Sequence, residues 1–104
     1  MSHDSIHIIY VEDDDAVRAA GRQTFALADI EVRDFARAEA AIAELGMDRP
    51  VVLVTDVRLP GLDGIGLLKR IKSDPALAAI PVIMQTAANS PEQIREGLEA
   101  GAYY

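Results

Sequence analysis

Four side chains able to bind a cation or a phosphoryl group occur directly after apolar runs in this sequence. They are the acidic pair Glu12 and Asp13, the single carboxylate Asp56 and the hydroxyl of Thr86. The runs that precede them span residues 6–11, 51–55 and 82–85. If these runs are strands of one parallel sheet, their ends meet in the crevice where such sheets bind ligands. The sequence therefore predicts a chemical site at that edge of the sheet.

The residue types at this edge favour Mg²⁺ and phosphoryl chemistry. Neighbouring carboxylates repel one another unless a cation offsets their charge, and Mg²⁺ prefers one or two carboxylates together with a phosphate. In this interpretation Asp56 is the nucleophile and Asp13 the leading metal ligand, with Glu12 acting directly or through water. Thr86 donates its hydroxyl to a phosphoryl oxygen.

Each of these residues also has a simpler interpretation. The acids at 12–15 suit a solvated helix N-terminus, where negative charge meets the helix dipole. Asp56 could be a loop acid, and Thr86 could cap the following loop. The residue types alone leave these alternatives open, although an acid that closes the apolar run Val51–Val54 is costly to bury unpaired.

Four strands and four helices are predicted in alternation along the chain. The strands span residues 6–11, 30–35, 51–55 and 81–85. The helices are expected from Ala16 with Asp15 as the cap, over 36–45, from Ile65 to near Ser73, and from Pro91 with Ser90 as the cap. Alternation with short loops and right-handed crossovers selects a parallel sheet with helices on both faces.

Residues at helical spacing mark one face of the first helix and one of the fourth. In the first helix Val17, Ala20, Thr24 and Phe25 form a weakly apolar face. In the fourth helix Ile94 and Leu98 are expected on the buried side.

Composition limits the class of protein. With 104 residues and 50% hydrophobic content, residues 1–104 are expected to form one domain with a real core. The net charge of −7 and the 5% aromatic content argue against direct nucleic-acid binding. There are no cysteines and no apolar run near the roughly 20 residues that a membrane span needs, so a cytoplasmic protein without a membrane partner is expected.

Three segments resemble the receiver domains of two-component response regulators. Ile8–Asp14 is similar to the acidic motif that ends the first strand, and Pro81–Ala87 to the strand that carries the switch hydroxyl. Thr55–Gly64, with its Pro and Asp-Gly turn, resembles the phospho-acceptor segment and is the most specific of the three. The resemblance covers nearly the whole chain. It implies an α/β, flavodoxin-like doubly wound parallel sheet of strand order 2-1-3-4-5.

The resemblance also implies roles for individual residues. Asp56 would accept a phosphoryl group from the histidine of a sensor histidine kinase or phosphotransfer protein, and Thr86 would be the switch hydroxyl. Glu12, Asp13 and Asp56 would hold Mg²⁺, with the backbone carbonyl of Arg58 as a further ligand. A downstream output domain is the other implied partner.

Two other functions compete with this one. The first is a non-phosphorylated module that keeps the fold for interaction or dimerisation. The second is a Mg²⁺ hydrolase with aspartyl-phosphate chemistry, which ranks last because Arg58 stands where such enzymes usually need a second acid.

The chain departs from the family pattern at its C-terminus. Receiver domains carry a Lys at the end of the fifth strand, which by resemblance would fall about four residues beyond Tyr104. The expectation is therefore a receiver that lacks its fifth strand and last helix, with 82–85 as an exposed sheet edge and apolar surface uncovered beside the first helix. Three outcomes are expected: a homodimer or strand exchange through that edge, association with a missing downstream segment, or a partly disordered protein.

Overall fold

A computed structural model describes residues 7–45, 52–85 and 91–103. Within them, strands and helices alternate as predicted. The strands are β1 (His7–Val11), β2 (Glu31–Phe35), β3 (Val52–Asp56) and β4 (Val82–Gln85). The helices are α1 (Asp15–Leu27), α2 (Ala38–Leu45), α3 (Gly64–Lys72) and α4 (Pro91–Glu99). None of the helices in the described ranges is long and apolar enough to cross a membrane.

The four strands form one parallel sheet in the order β2-β1-β3-β4. This order confirms the doubly wound arrangement expected from the sequence. Because β1 and β3 are neighbours, with Val11 opposite Thr55, the residues that follow them emerge side by side.

The outer edge of β4 is partly occupied, which corrects the expectation of an exposed edge. Tyr103 forms a parallel bridge with Ile83. Its N–H donates to the carbonyl of Val82 (2.8 Å) and its carbonyl accepts from the N–H of Met84 (2.7 Å). The segment after α4 returns to the sheet because Gly101 adopts a φ of 103°, a left-handed conformation that suits glycine.

Alternate residues of the strands supply two separate cores. On one face, Ile9, Leu53 and Val82 join residues of α2 and α3 in the larger cluster. On the other face, Tyr10 packs against Phe25 of α1 in a T-shaped arrangement, with the ring centroids 5.7 Å apart. Burial on both faces accounts for the continuous apolar character of β1 and β3.

Helix α1 begins one residue earlier than predicted and presents a different face to the sheet. Asp14, not Asp15, is the cap, since its carboxylate accepts from the N–H of Val17 (3.0 Å). Of the four residues on the predicted weakly apolar face, Phe25 packs on the sheet, whereas Val17 is 48% exposed and Ala20 and Thr24 are exposed too. A side chain on Gly21 would lie 2.7 Å from the Tyr10 ring, so the helix turns its glycine toward the sheet to make room for that ring.

The buried side of α4 also differs from the prediction. Ile94 is half-buried, but Leu98 is 53% exposed and Gly97 is buried instead. The carbonyl of Gly97 accepts from the N–H of Ala102, which brings the returning chain against that side of the helix. The predicted cap of α4, Ser90, lies outside the described residues. Helix α2 begins at Ala38, two residues later than expected.

Candidate metal centre

Three carboxylates meet where β1 and β3 end. Glu12 and Asp13 directly follow β1, and Asp56 is the last residue of β3. One oxygen from each side chain lies within 4.8 Å of the other two. Glu12 is only 6% exposed, Asp56 is half-buried and Asp13 is exposed. The predicted convergence of these acids is therefore observed, with one buried carboxylate and one open to solvent.

The electrostatics of Glu12 reflect this crowding. Burial raises the pKa of its carboxyl above the ordinary value, and the nearby charges of Asp56 and Asp13 raise it further. A hydrogen bond from the N–H of Asp14 to Oε2 (3.0 Å) acts in the opposite direction. The net effect is a raised pKa of Glu12, and a bound cation would offset the like charges that contribute to it.

The donor set fits Mg²⁺. It consists of hard carboxylate oxygens, and Mg²⁺ binds such oxygens at about 2.0–2.1 Å, which puts opposite ligands roughly 4.2 Å apart. The observed limit of 4.8 Å comes within a small side-chain adjustment of that span. The exposed side of Asp13 leaves room for the waters that Mg²⁺ retains.

The turn that carries the acidic pair is held by Arg18 of α1. Its Nη1 donates to the carbonyl of Glu12 (2.8 Å), and its Nη2 pairs with Asp15 (2.6 Å). Its Nε lies 3.2 Å from Oδ2 of Asp34 on β2. Hydrogen bonding to Asp15 is the main influence that raises the pKa of Arg18. The guanidinium thus joins the end of β1, the start of α1 and β2.

The backbone behind Asp56 requires a glycine in α3. A Cβ on Gly64 would lie 2.1 Å from the carbonyl oxygen of Asp56, a distance that no side chain could occupy. The N–H of Gly64 donates to the carbonyl of Val57 (2.9 Å), and Asp63 caps α3 by accepting from the N–H of Gly66 (2.8 Å). The Asp-Gly pair therefore closes α3 onto the end of β3.

The loop between β3 and α3 is also braced from α2. Oε2 of Glu39 accepts from the N–H of Leu62 (3.3 Å). Backbone hydrogen bonds, from its own N–H first and from Leu62 next, lower the pKa of Glu39, and Arg37 acts in the same direction. Gly61 has a φ of 74° in this loop, so it can turn tightly beneath the Arg37 side chain.

The predicted roles of two further site residues, Arg58 and Thr86, stay predictions. Arg58 lies in the segment after β3 with an exposed side chain, and the role of its carbonyl stays a prediction. Thr86 lies outside the described residues, so its position relative to Asp56 stays a prediction too.

Sequence reasoning missed Arg18 and the reason for Gly64. The partners of Arg18 include a backbone carbonyl and an acid on another strand, which no spacing rule reveals; its place three residues after Asp15 was the only local signal. In the sequence Gly64 indicates only a turn, whereas in the structure it lies against the backbone of β3.

Comparison with known proteins agrees with this geometry. Residues 8–104 match the family model described as the response regulator receiver domain. The transcriptional regulatory protein CseB of Streptomyces coelicolor is 35% identical over 99 residues, which are 95% of this chain and 41% of that protein. The two-component response regulator ORR3 of Oryza sativa subsp. japonica is 33% identical over 92% of this chain and 74% of its own length. The chain thus spans well under half of CseB.

Solved structures share the fold. The chemotaxis protein CheY4 of Vibrio cholerae superposes with a TM-score of 0.89 at 27% identity, covering 95% of this chain and 82% of that one. The phosphorylated cyanobacterial phytochrome response regulator RcpA gives a TM-score of 0.87 at 27% identity, covering 94% and 76%.

Proposed function

Because this chain belongs to the response regulator receiver domain family, we propose that Asp56 accepts a phosphoryl group from the histidine of a sensor histidine kinase or phosphotransfer protein. The observation that carries the proposal is the meeting of Glu12, Asp13 and Asp56 within 4.8 Å. A half-buried carboxylate with two acids beside it has the surroundings of a phospho-acceptor that works with a divalent cation.

In the proposed reaction an oxygen of Asp56 attacks phosphorus. A phosphorus–oxygen bond forms while the phosphorus–nitrogen bond of the donor histidine breaks, and the imidazole leaves with the bonding pair. Glu12, Asp13, Asp56 and the carbonyl of Arg58 would hold Mg²⁺, which offsets the charge of the carboxylates and of the incoming group. Thr86 would donate its hydroxyl to a phosphoryl oxygen of the product.

A phosphoryl mimic tests the proposal. Fluorine NMR of the protein with beryllofluoride and Mg²⁺ should give a bound signal that disappears in Asp56→Asn, because the aspartyl oxygen is the group that coordinates beryllium. Asp29→Asn changes an exposed acid outside the cluster and should keep the signal. A signal that persists in Asp56→Asn, or none with the natural sequence, would favour the non-phosphorylated module instead.

We further propose that phosphorylation acts on a partner or a downstream output domain. CseB is named a transcriptional regulatory protein and is more than twice as long as the matched region. A phosphoryl group on Asp56 that accepts the hydroxyl of Thr86 would bias the region of β4 and α4 between two packings, which a partner could distinguish.

The outer side of β4 supports a second proposal, that two copies associate there. Ile83 is 36% exposed and Tyr103 is 62% exposed, although they are bridged to each other. Apolar side chains along one sheet edge favour contact with another copy.

A further inference from the structure

We propose that Arg18 is a positioning residue for the divalent-cation site, because its guanidinium fixes the peptide that joins Glu12 to Asp13. The inference rests on the proposed function, since it concerns the same acids. Arg18 touches neither the phosphoryl group nor the cation in this scheme; it acts through the backbone.

The contact to the Glu12 carbonyl determines where Asp13 stands. A peptide unit is planar, so the direction of the Glu12 carbonyl also sets the direction of the bond that leads to Asp13. The N–H of Glu12 donates to the carbonyl of Phe35 (3.0 Å) and fixes the preceding peptide. With Nη1 of Arg18 at 2.8 Å, Glu12 is held on both sides.

Arg18 is itself held in place. Its Nε and Nη2 meet Asp34 and Asp15, and its side chain is only 18% exposed. Three sets of N–H donors on one planar group therefore tie three elements together, which a lysine ammonium on a flexible stem cannot reproduce. Arg22 is a natural comparison, since it contacts Asp34 (3.1 Å) from the next turn of α1 and is 53% exposed.

A positioning role and a purely electrostatic role for Arg18 predict opposite changes in cation affinity when Arg18 is removed. If Arg18 acted only through its charge, its removal would strengthen cation binding, because the site would become more negative. If it positions the ligands, its removal weakens binding. The loss should be larger for Mg²⁺, which demands near-ideal octahedral geometry, than for Ca²⁺, which tolerates irregular ligands.

Calorimetric titration with MgCl₂ and with CaCl₂ at pH 7 tests the inference. We expect Arg18→Met to bind Mg²⁺ about 10-fold more weakly than the natural sequence, the scale of outer-sphere losses, and Ca²⁺ to lose less. Arg18→Lys, which keeps the charge, should also bind Mg²⁺ more weakly. Arg22→Met should bind it equally well or more tightly.

The remaining outcomes contradict the inference in distinguishable ways. If the natural sequence binds Mg²⁺ and both Arg18 variants match it, or if Arg18→Met binds more tightly as Arg22→Met does, the inference alone fails. Equal losses for the two cations would show that the loss does not depend on coordination geometry and would also overturn the inference. If Arg18→Met does not fold, Arg18→Lys decides by the same criteria. If the natural sequence binds no Mg²⁺, the proposed function fails and the inference with it.

Discussion

At Glu12, burial and like charge act together against ionisation, and both raise the pKa of its carboxyl. A group whose pKa is higher in the folded than in the unfolded protein contributes stability that is fully present below the unfolded pKa. That contribution is lost as the pH rises through the folded pKa. In the absence of a divalent cation, we therefore expect the contribution of Glu12 to stability to be lost as the pH rises above the ordinary value of 4.5.

Replacing Glu12 by Gln should remove this loss, because Gln keeps an oxygen for the N–H of Asp14 but carries no charge. With a chelator present, Glu12→Gln should have the higher free energy of unfolding at pH 7, and the difference should shrink as the pH falls below 4.5. Urea unfolding followed by circular dichroism over a pH series measures the difference at pH 7 and its decrease at lower pH. An equal gain in Glu31→Gln, an exposed acid on β2, would contradict the assignment.

Addition of Mg²⁺ should stabilise the folded protein through the same acids. At a concentration 100 times the dissociation constant the gain is about 2.7 kcal/mol if the unfolded chain does not bind. Asp13→Asn should lose most of this gain, since one ligand charge is removed. Thermal unfolding with and without MgCl₂ checks the prediction, and an unchanged gain in Asp13→Asn would show that the cation binds elsewhere.

At the scale of elements, the site depends on how closely α3 approaches β3. Gly64→Ala should cost about 3 kcal/mol, because its Cβ would meet the carbonyl of Asp56 and must displace backbone. Gly66→Ala is the matched control in the same helix, where the new methyl would meet side-chain atoms rather than backbone, namely the flexible end of Leu62 (2.7 Å) and Oδ1 of Asp63 (3.3 Å). It should stay within about 1 kcal/mol of the natural sequence. Chemical denaturation measures both, and similar losses would contradict the proposed close approach.

At the C-terminal end of α1, one substitution is expected to stabilise the protein rather than destabilise it. Asp29 has a φ of 59°, and the N–H groups of Asp29 and Ile30 donate to Ala26 and Phe25 to close the helix. Glycine adopts this left-handed conformation without strain, so Asp29→Gly should stabilise the protein by about 0.5–1 kcal/mol. Ala28 has a φ of −95°, and Ala28→Gly should give no such gain. A gain in both variants, measured by thermal unfolding, would argue against backbone strain as the cause.

At the scale of the whole molecule, net charge opposes association between copies, and exposed apolar surface favours it. The net charge of −7 keeps copies apart, whereas Ile83 and Tyr103 favour contact along β4. We expect the mass measured by light scattering to rise with protein concentration, and to rise further with salt as repulsion is screened. Ile83→Glu should reduce the association. Leu27→Glu, which adds the same charge to a side chain that is 89% exposed, should reduce it less. A constant monomer mass would contradict association through β4.

The sequence by itself determined the strand and helix order, the parallel sheet and the meeting of Glu12, Asp13 and Asp56. Short buried strands are recognisable from continuous apolar runs, and in a parallel sheet the residues that end neighbouring strands must lie together. These inferences need only local patterns and one topological rule.

Only the tertiary structure decided which face α1 buries, where Arg18 binds and why Gly64 is needed. Each depends on a contact between residues far apart in the chain: the Tyr10 ring beneath Gly21, Asp34 beside Arg18, and the Asp56 carbonyl against Gly64. Periodicity placed Val17 and Phe25 on one weakly apolar face, but packing against Tyr10 selected the side of the helix that carries Gly21 and Phe25 and left Val17 exposed. Three-dimensional packing thus determined how the acids are held, and local pattern determined which acids they are.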